Sequence, residues 1–171
     1  GGKAIMLQAD LADAEQAPTI VQQTVAEFGR LDILINNAGS PIERSRLEDC
    51  PLSLWNQSLM TNLTSALLVT QTAIPHLRSS GQGAIVNNIT LSVQTGGANG
   101  AGPYAIAKGG LLVMTRTLAR ELAPEVRTNS IMPGVQHADR EAERAVRLVD
   151  RADRLDPGGM FGAARAIDEA R

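Results

Sequence analysis

Short apolar runs and longer stretches of helical spacing alternate strictly from Ala4 to Met132. That pattern admits one sheet class, parallel strands joined by crossover helices, and so an α/β fold. Ala4-Ile5-Met6-Leu7 reads as a buried strand. Asp13 is placed to cap a helix whose apolar residues Val21, Val25 and Phe28 recur at helical spacing. Leu31 to Ile35 is a second strand, followed by a long helix over Leu52–Leu77 with Trp55, Leu59, Leu63, Ala66, Leu67, Thr70, Ile74 and Leu77 on one stripe. Ala84 to Ile89 is a third strand. The next helix, Ala105–Leu122, runs through Leu111, Met114 and Leu118. Val126 to Met132 is a shorter fourth strand, ended by Pro133-Gly134.

Charge divides the chain more sharply than any linker. Of 34 charged residues, 15 fall in Ala138–Arg171, which separates a sheet-forming domain over 1–137 from a tail over 138–171. In that tail Glu143 with Arg147 and Asp150 with Arg154 stand at the i,i+4 spacing of an exposed helix, and a solvated, partly disordered end is expected. A net charge of −2 and only four aromatic residues, Phe28, Trp55, Tyr104 and Phe161, argue against a nucleic-acid partner. The single cysteine, Cys50, excludes an internal disulfide framework and a cysteine-based zinc cluster. No apolar run approaches the ~18 residues of a membrane span. A cytoplasmic protein without membrane partners is the expectation.

Tyr104 and Lys108 stand four apart, so on a helix they share a face and their heads can converge on one ligand. A phenol is a poor base at neutral pH, and a neighbouring ammonium favours its phenolate, the direction that proton exchange with an alcohol requires. Taken alone, the pair describes many surface tyrosines. Its context is more informative. Asn36-Asn37-Ala38-Gly39 follows the second strand directly, and small residues at the carboxyl end of a parallel strand let a ligand approach the backbone. Asp10-Leu11, Thr90 with Ser92, and Pro133-Gly134 end the other three strands. Four strands thus deliver small or polar residues to the edge where α/β sheets bind nucleotides.

In order and spacing, Asp10-Leu11, Leu31 to Gly39, Asn62-Leu63, Gly83 to Asn87, Tyr104 to Lys108 and Asn129 to Gly134 resemble the short-chain dehydrogenase/reductase family. The resemblance covers residues 1–135 and implies an incomplete Rossmann-type sheet with flanking helices. It also implies NAD- or NADP-dependent interconversion of a small-molecule alcohol and a carbonyl. By analogy Tyr104 is the general acid/base, Lys108 tunes it and binds the nicotinamide ribose, and Asn62 holds a water of the proton relay. Asp10 and Leu11 would border the adenine, and Asn37, Ala38 and Gly39 the adenosine ribose. Pro133 and Gly134 would sit by the nicotinamide, Asn36 and Asn129 would hydrogen-bond across strands and loops, and His76 and His137 match no role.

Three departures accompany the match. The family's first two strands and its Gly-x-x-x-Gly-x-Gly loop are expected before Gly1, and neither Gly96-Gly97 nor Gly158-Gly159 is expected to follow a strand and open a helix. Two strand places should then be missing between the first and second strands here, leaving Leu31–Ile35 as an apolar edge. The catalytic serine is replaced by Thr90, with Ser92 as the fallback hydroxyl, and Asn88 puts an amide where relatives are apolar. Beyond Val135 the match ends, and Ala138 stands where a cofactor-contacting threonine is expected. Three outcomes follow: an oxidoreductase, a non-catalytic remnant or interaction module, or a subunit that borrows strands from a partner. A homo-oligomer is expected through the Leu52–Leu77 and Ala105–Leu122 helices, with Leu68, Leu112 and Val113 beside their core stripes.

Overall fold

The computed structural model describes residues 2–133, so Gly134, His137 and the charged tail lie outside the described residues. Three parallel strands, β1 (Ile33–Asn36), β2 (Gly83–Asn88) and β3 (Val126–Ile131), lie in the order β1-β2-β3. Ile33 pairs with Ala84 and Asn36 with Asn87, while Gly83 pairs with Val126 and Asn88 with Ile131. Helix α1 (Thr19–Phe28) precedes β1. Helices α2 (Leu52–Leu59) and α3 (Ser65–Ser79) are joined by a π-turn over Met60–Thr64, so the long helix read from the sequence is one rod with a widened turn. A single turn, α4 (Ser92–Thr95), and the twenty-residue α5 (Gly102–Glu121) connect β2 to β3.

All the large helices pack on one face of the sheet. Leu34, Ile85 and Val126 point to that face, where they join Val69, Ala73 and Leu77 of α3, Leu118 of α5 and Val21 of α1 in one apolar core. Burying side chains of this size contributes ~1.5–3 kcal/mol each, enough to fix which face the helices choose. Two amides cross the same layer. Asn36 donates to Thr70 Oγ1 (3.0 Å) and to Asn87 Oδ1 (2.8 Å), and Asn87 donates to Thr115 Oγ1 (2.9 Å), tying β1 and β2 to α3 and α5.

Among the described residues no helix covers the opposite face. Ile33 and Ile35 are 59% and 61% exposed, Ile131 is 42% exposed, and Arg127 and Asn129 on β3 also face outward. Parallel sheets are almost always covered on both faces, so the described unit is a two-layer piece of a three-layer architecture. The apolar edge expected at Leu31–Ile35 is present as β1.

Four expectations need correction. Ala4–Leu7 forms no strand: no strand lies beside it among the described residues to take its backbone groups, and Met6 is 95% exposed. Asp13 does not cap α1. Its carboxylate accepts the Glu15 and Gln16 N–H groups inside a preceding turn, and Pro18, whose ring would clash inside a continued helix, sets the start of α1. Asn129 bridges nothing; its side chain is exposed and makes no hydrogen bond among the described residues. Leu68 and Leu112 are spent on core packing, leaving Val113 (59% exposed) as the outward residue of the three.

Candidate active site

Lys108 is the centre of the site. It lies on α5 with 2% of its surface exposed, and its Nζ donates to the carbonyls of Asn88 (2.8 Å) and Ala38 (3.4 Å). An ammonium has three donors, and among the described residues these two carbonyls take two of them. The carbonyls come from the chain just beyond β1 and from the last residue of β2, so the sheet's carboxyl edge builds the socket. Asn88, the amide that departs from the apolar pattern, also donates through Nδ2 to Asn37 Oδ1 (2.5 Å) and stitches the two strand ends together.

Burial alone pushes the Lys108 ammonium below the ordinary lysine range. A lysine whose folded pKa lies below its unfolded value disfavours folding while both states are protonated. That penalty is relieved as pH rises from the folded to the unfolded value. Urea unfolding should therefore give a free energy that climbs with pH up to ~10.4, relative to Lys108→Met, which keeps the stem and removes the charge. A difference between the two chains that stays flat across alkaline pH would contradict the buried ammonium.

Asn62 sits in the π-turn, a geometry frequent at functional sites, and is 1% exposed. Its Nδ2 donates to the carbonyls of Ser40 (2.8 Å) and Ser58 (3.0 Å), and its Oδ1 accepts the Ser40 N–H (2.9 Å). The segment after β1 is thereby pinned to the helix. Gly39 lies between the two groups: a Cβ there would stand 2.8 Å from Asn62 Oδ1 and 2.8 Å from Lys108 Nζ. A side chain at that point would force the Asn62 amide and the Lys108 ammonium to move.

Thr90 and Ser92 form one corner. Thr90 Oγ1 accepts the Ser92 N–H (3.3 Å) and lies 3.4 Å from Ser92 Oγ, because the chain turns into α4 rather than staying extended. Pro133 is beside them, its carbonyl accepting the Leu91 N–H (3.2 Å). Tyr104 is half-buried on the first turn of α5, one turn before Lys108. Its hydroxyl makes no hydrogen bond among the described residues. Asp10 and Leu11 are not drawn into this cluster. The Asp10 carboxylate accepts the Ala12 N–H (2.9 Å) in its own turn, and Leu11 packs on the core.

Gly96, Gly100 and Gly102 reproduce the Gly-x-x-x-Gly-x-Gly spacing and Gly102 opens α5, while Gly96-Gly97 itself opens no helix, as expected. It is still no strand-to-helix phosphate turn. Helix α4 intervenes after β2, and the loop spends three carbonyls on another segment: Ala98 and Asn99 accept from Arg44 Nη1 (3.2 and 3.1 Å), and Gly100 accepts from Ser45 N–H (2.9 Å). Sequence reasoning missed Arg44, whose role depends on a contact 54 residues away.

The residues around Lys108 fit the sugar-hydroxyl end of a dinucleotide, with an ammonium donor that is unpaired among the described residues and a cradle kept open by Gly39. Among the described residues no group of three or more His, Cys, Asp or Glu could hold a metal, and no helix is long and apolar enough to cross a membrane.

Comparison with known proteins extends this picture. The short chain dehydrogenase family profile matches residues 1–147. An uncharacterized short-chain type dehydrogenase/reductase of Sinorhizobium fredii is 34% identical over 142 residues, covering 81% of this chain and 55% of the relative. The cis-4-hydroxycyclohexanecarboxylate dehydrogenase of Sinomonas cyclohexanicum is 31% identical, covering 78% of this chain and 54% of its own. Among solved structures, the NADH-dependent reductase A1-R' complexed with NAD superposes with a TM-score of 0.74 at 31% identity, covering 77% of this chain and 57% of that one. The chain spans about half the length of the curated relatives it matches.

Proposed function

The chain belongs to the short-chain dehydrogenase family, and from that premise we propose that it carries the catalytic part of a nicotinamide-dependent oxidoreductase interconverting a small alcohol and a carbonyl. The observation that supports this most directly is the convergence of Gly39, Asn62 and Lys108, residues of three separate segments, within 2.8 Å of one vacant Cβ position. The cofactor, NAD or NADP, supplies or accepts the hydride when bound; the reductase that carries NAD supports NAD.

The chain's own residues handle the proton and the positioning. Tyr104 takes the proton from the alcohol hydroxyl, or returns it to the carbonyl oxygen, as general acid/base. Lys108, held by the Asn88 and Ala38 carbonyls, directs its remaining donor to the nicotinamide ribose. The Asn62 side chain is already committed to Ser40 and Ser58, so the group it offers a relay water is its main-chain carbonyl, in a turn that departs from the regular helical ladder. Thr90 or Ser92 supplies a hydroxyl to the substrate oxygen. Asn37 and Ala38 border the adenosine ribose, and Pro133 with Gly134 the nicotinamide. Asp10 and Leu11 reach the adenine once their turn opens.

The reading is tested by joining the chain in frame to the part of the cis-4-hydroxycyclohexanecarboxylate dehydrogenase that it does not match. Absorbance of NADH is then followed with a panel of cyclic and linear alcohols and ketones. Turnover of any of them supports the proposal, and a folded, NAD-binding chimera inert toward all of them would overturn it.

Assembly follows from the outward faces of the same helices. Leu67 on α3 and Ile106 and Val113 on α5 are 37%, 42% and 59% exposed, too apolar a set to leave in water on adjacent rods. We expect a homo-oligomer through this pair at tens of micromolar, roughly the range in which weak interfaces form. Sedimentation of a folded monomer at that concentration would contradict it.

A further inference from the structure

We propose that Arg44 is a positioning residue for Tyr104, acting through the glycine-rich segment 96–101; the catalytic consequence rests on the acid/base reading of Tyr104 above. Arg44 lies in the segment after β1 that also carries Asn37, Ala38, Gly39 and Ser40. Its Nη1 donates to both the Ala98 and Asn99 carbonyls, and the next residue, Ser45, donates its N–H to the Gly100 carbonyl. Two adjacent residues thus clasp three consecutive carbonyls of a segment more than 50 residues away.

The clasp leads directly to the tyrosine. The Ala98 carbonyl that Arg44 holds also accepts the Ala101 N–H (3.2 Å), and the Ala101 carbonyl accepts the Ala105 N–H (2.9 Å) at the start of α5. Tyr104 is thereby fixed in a turn bonded, through two carbonyls, to the guanidinium. The glycines serve the same closure. A Cβ on Gly97 would lie 2.6 Å from the Ala101 carbonyl oxygen, and one on Gly100 would lie 3.0 Å from Ser45 N. Both residues have φ near +80°, as does Gly96, and Asn99 takes φ +54° without being glycine. The glycines adopt the left-handed region freely and only Asn99 does so at a cost, and Arg44 and Ser45 are the groups that bond to the carbonyls of this loop. A cleft of about 350 Å³ lies between the two segments, lined by residues 45–48 and by Gly96, Gly97, Gly100 and Gly102.

The test exploits composition: the chain has one tyrosine and one tryptophan. With 3-fluorotyrosine and 5-fluorotryptophan incorporated into the full chain, ¹⁹F NMR gives one resonance for Tyr104 and one for Trp55 on α2. Arg44→Met is expected to shift the Tyr104 resonance most of the way toward its unfolded-chain position and to leave Trp55 unmoved. Arg44→Lys, which restores a donor, should recover most of the shift. Gly100→Ala, which strains the loop and crowds Ser45, should displace Tyr104 in the same direction. An unmoved Tyr104 resonance in Arg44→Met would overturn the proposal. So would equal movement of Trp55, which would make Arg44 a general stabiliser. The readout needs no turnover, so a catalytically dispensable Tyr104 would sink the acid/base reading and leave the clasp standing.

Discussion

Tyr104→Phe, made in the chimera that carries a complete cofactor site, should lose ~10²–10⁴-fold in turnover, the usual cost of removing a positioned acid/base. The fold should be untouched. The substitution removes one oxygen from a half-buried side chain whose hydroxyl bonds to nothing among the described residues, so no partner is orphaned. Nor can a neighbour replace it, because Tyr104 is the only tyrosine and the residues one turn on, Ala107 and Lys108, offer an apolar methyl and a cation. The loss should appear in kcat, with cofactor affinity retained through Lys108. Turnover of the Tyr104→Phe chimera within a few-fold of its parent would transfer the acid/base role elsewhere, with the Thr90–Ser92 corner as the next place to look.

The parts of this site legible from sequence are those whose residue type is dictated locally. Asn36 is one: an amide ending an apolar strand is tolerable only if bonded, and it bonds to Thr70 and Asn87. Gly39 is another, because a side chain at a position facing Lys108 and Asn62 at 2.8 Å would force both groups to move. Strand and helix order was readable because the apolar spacing reports burial directly. What periodicity could not give was pairing. Ala4–Leu7 has the composition of a strand, yet a strand exists only beside another, and no spacing in the run itself says whether one is there. The same limit hid the bare face. Ile33 and Ile35 look like core residues in sequence, and their exposure of about 60% is a property of what covers them. Arg44 was invisible for a related reason, since a guanidinium that binds backbone carbonyls leaves no trace in the identity of its partners.

The largest effect expected of the 171 residues by themselves is the loss of cofactor affinity. A dinucleotide carries most of its charge on the pyrophosphate, and the family's usual partners for it are backbone N–H groups and a helix N-terminus at a strand-to-helix glycine turn. The one stretch here with that glycine spacing, Gly96 to Gly102, has its carbonyls clasped by Arg44 and Ser45 and follows α4 rather than a strand. On the proposed reading, what remains are contacts at the two ends of the cofactor: Lys108 and Tyr104 for the nicotinamide side, Asn37 to Gly39 for the adenosine ribose. The Asp10 carboxylate is taken up by the Ala12 N–H of its own exposed turn. Losing several charge-assisted hydrogen bonds at ~1.5–3 kcal/mol each weakens binding by several orders of magnitude. The edge of β1 compounds the loss, because among the described residues β1 has a strand neighbour on the β2 side alone. Titration of the folded chain with NADH, followed by nucleotide fluorescence, should therefore give no saturable signal in the micromolar range. In the chimera, where the phosphate loop is present and β1 has a neighbour on both sides, saturation should return. Micromolar binding by the 171 residues themselves would show that the Lys108 end carries far more of the affinity than its few donors suggest, or that the pyrophosphate has found another set of N–H groups.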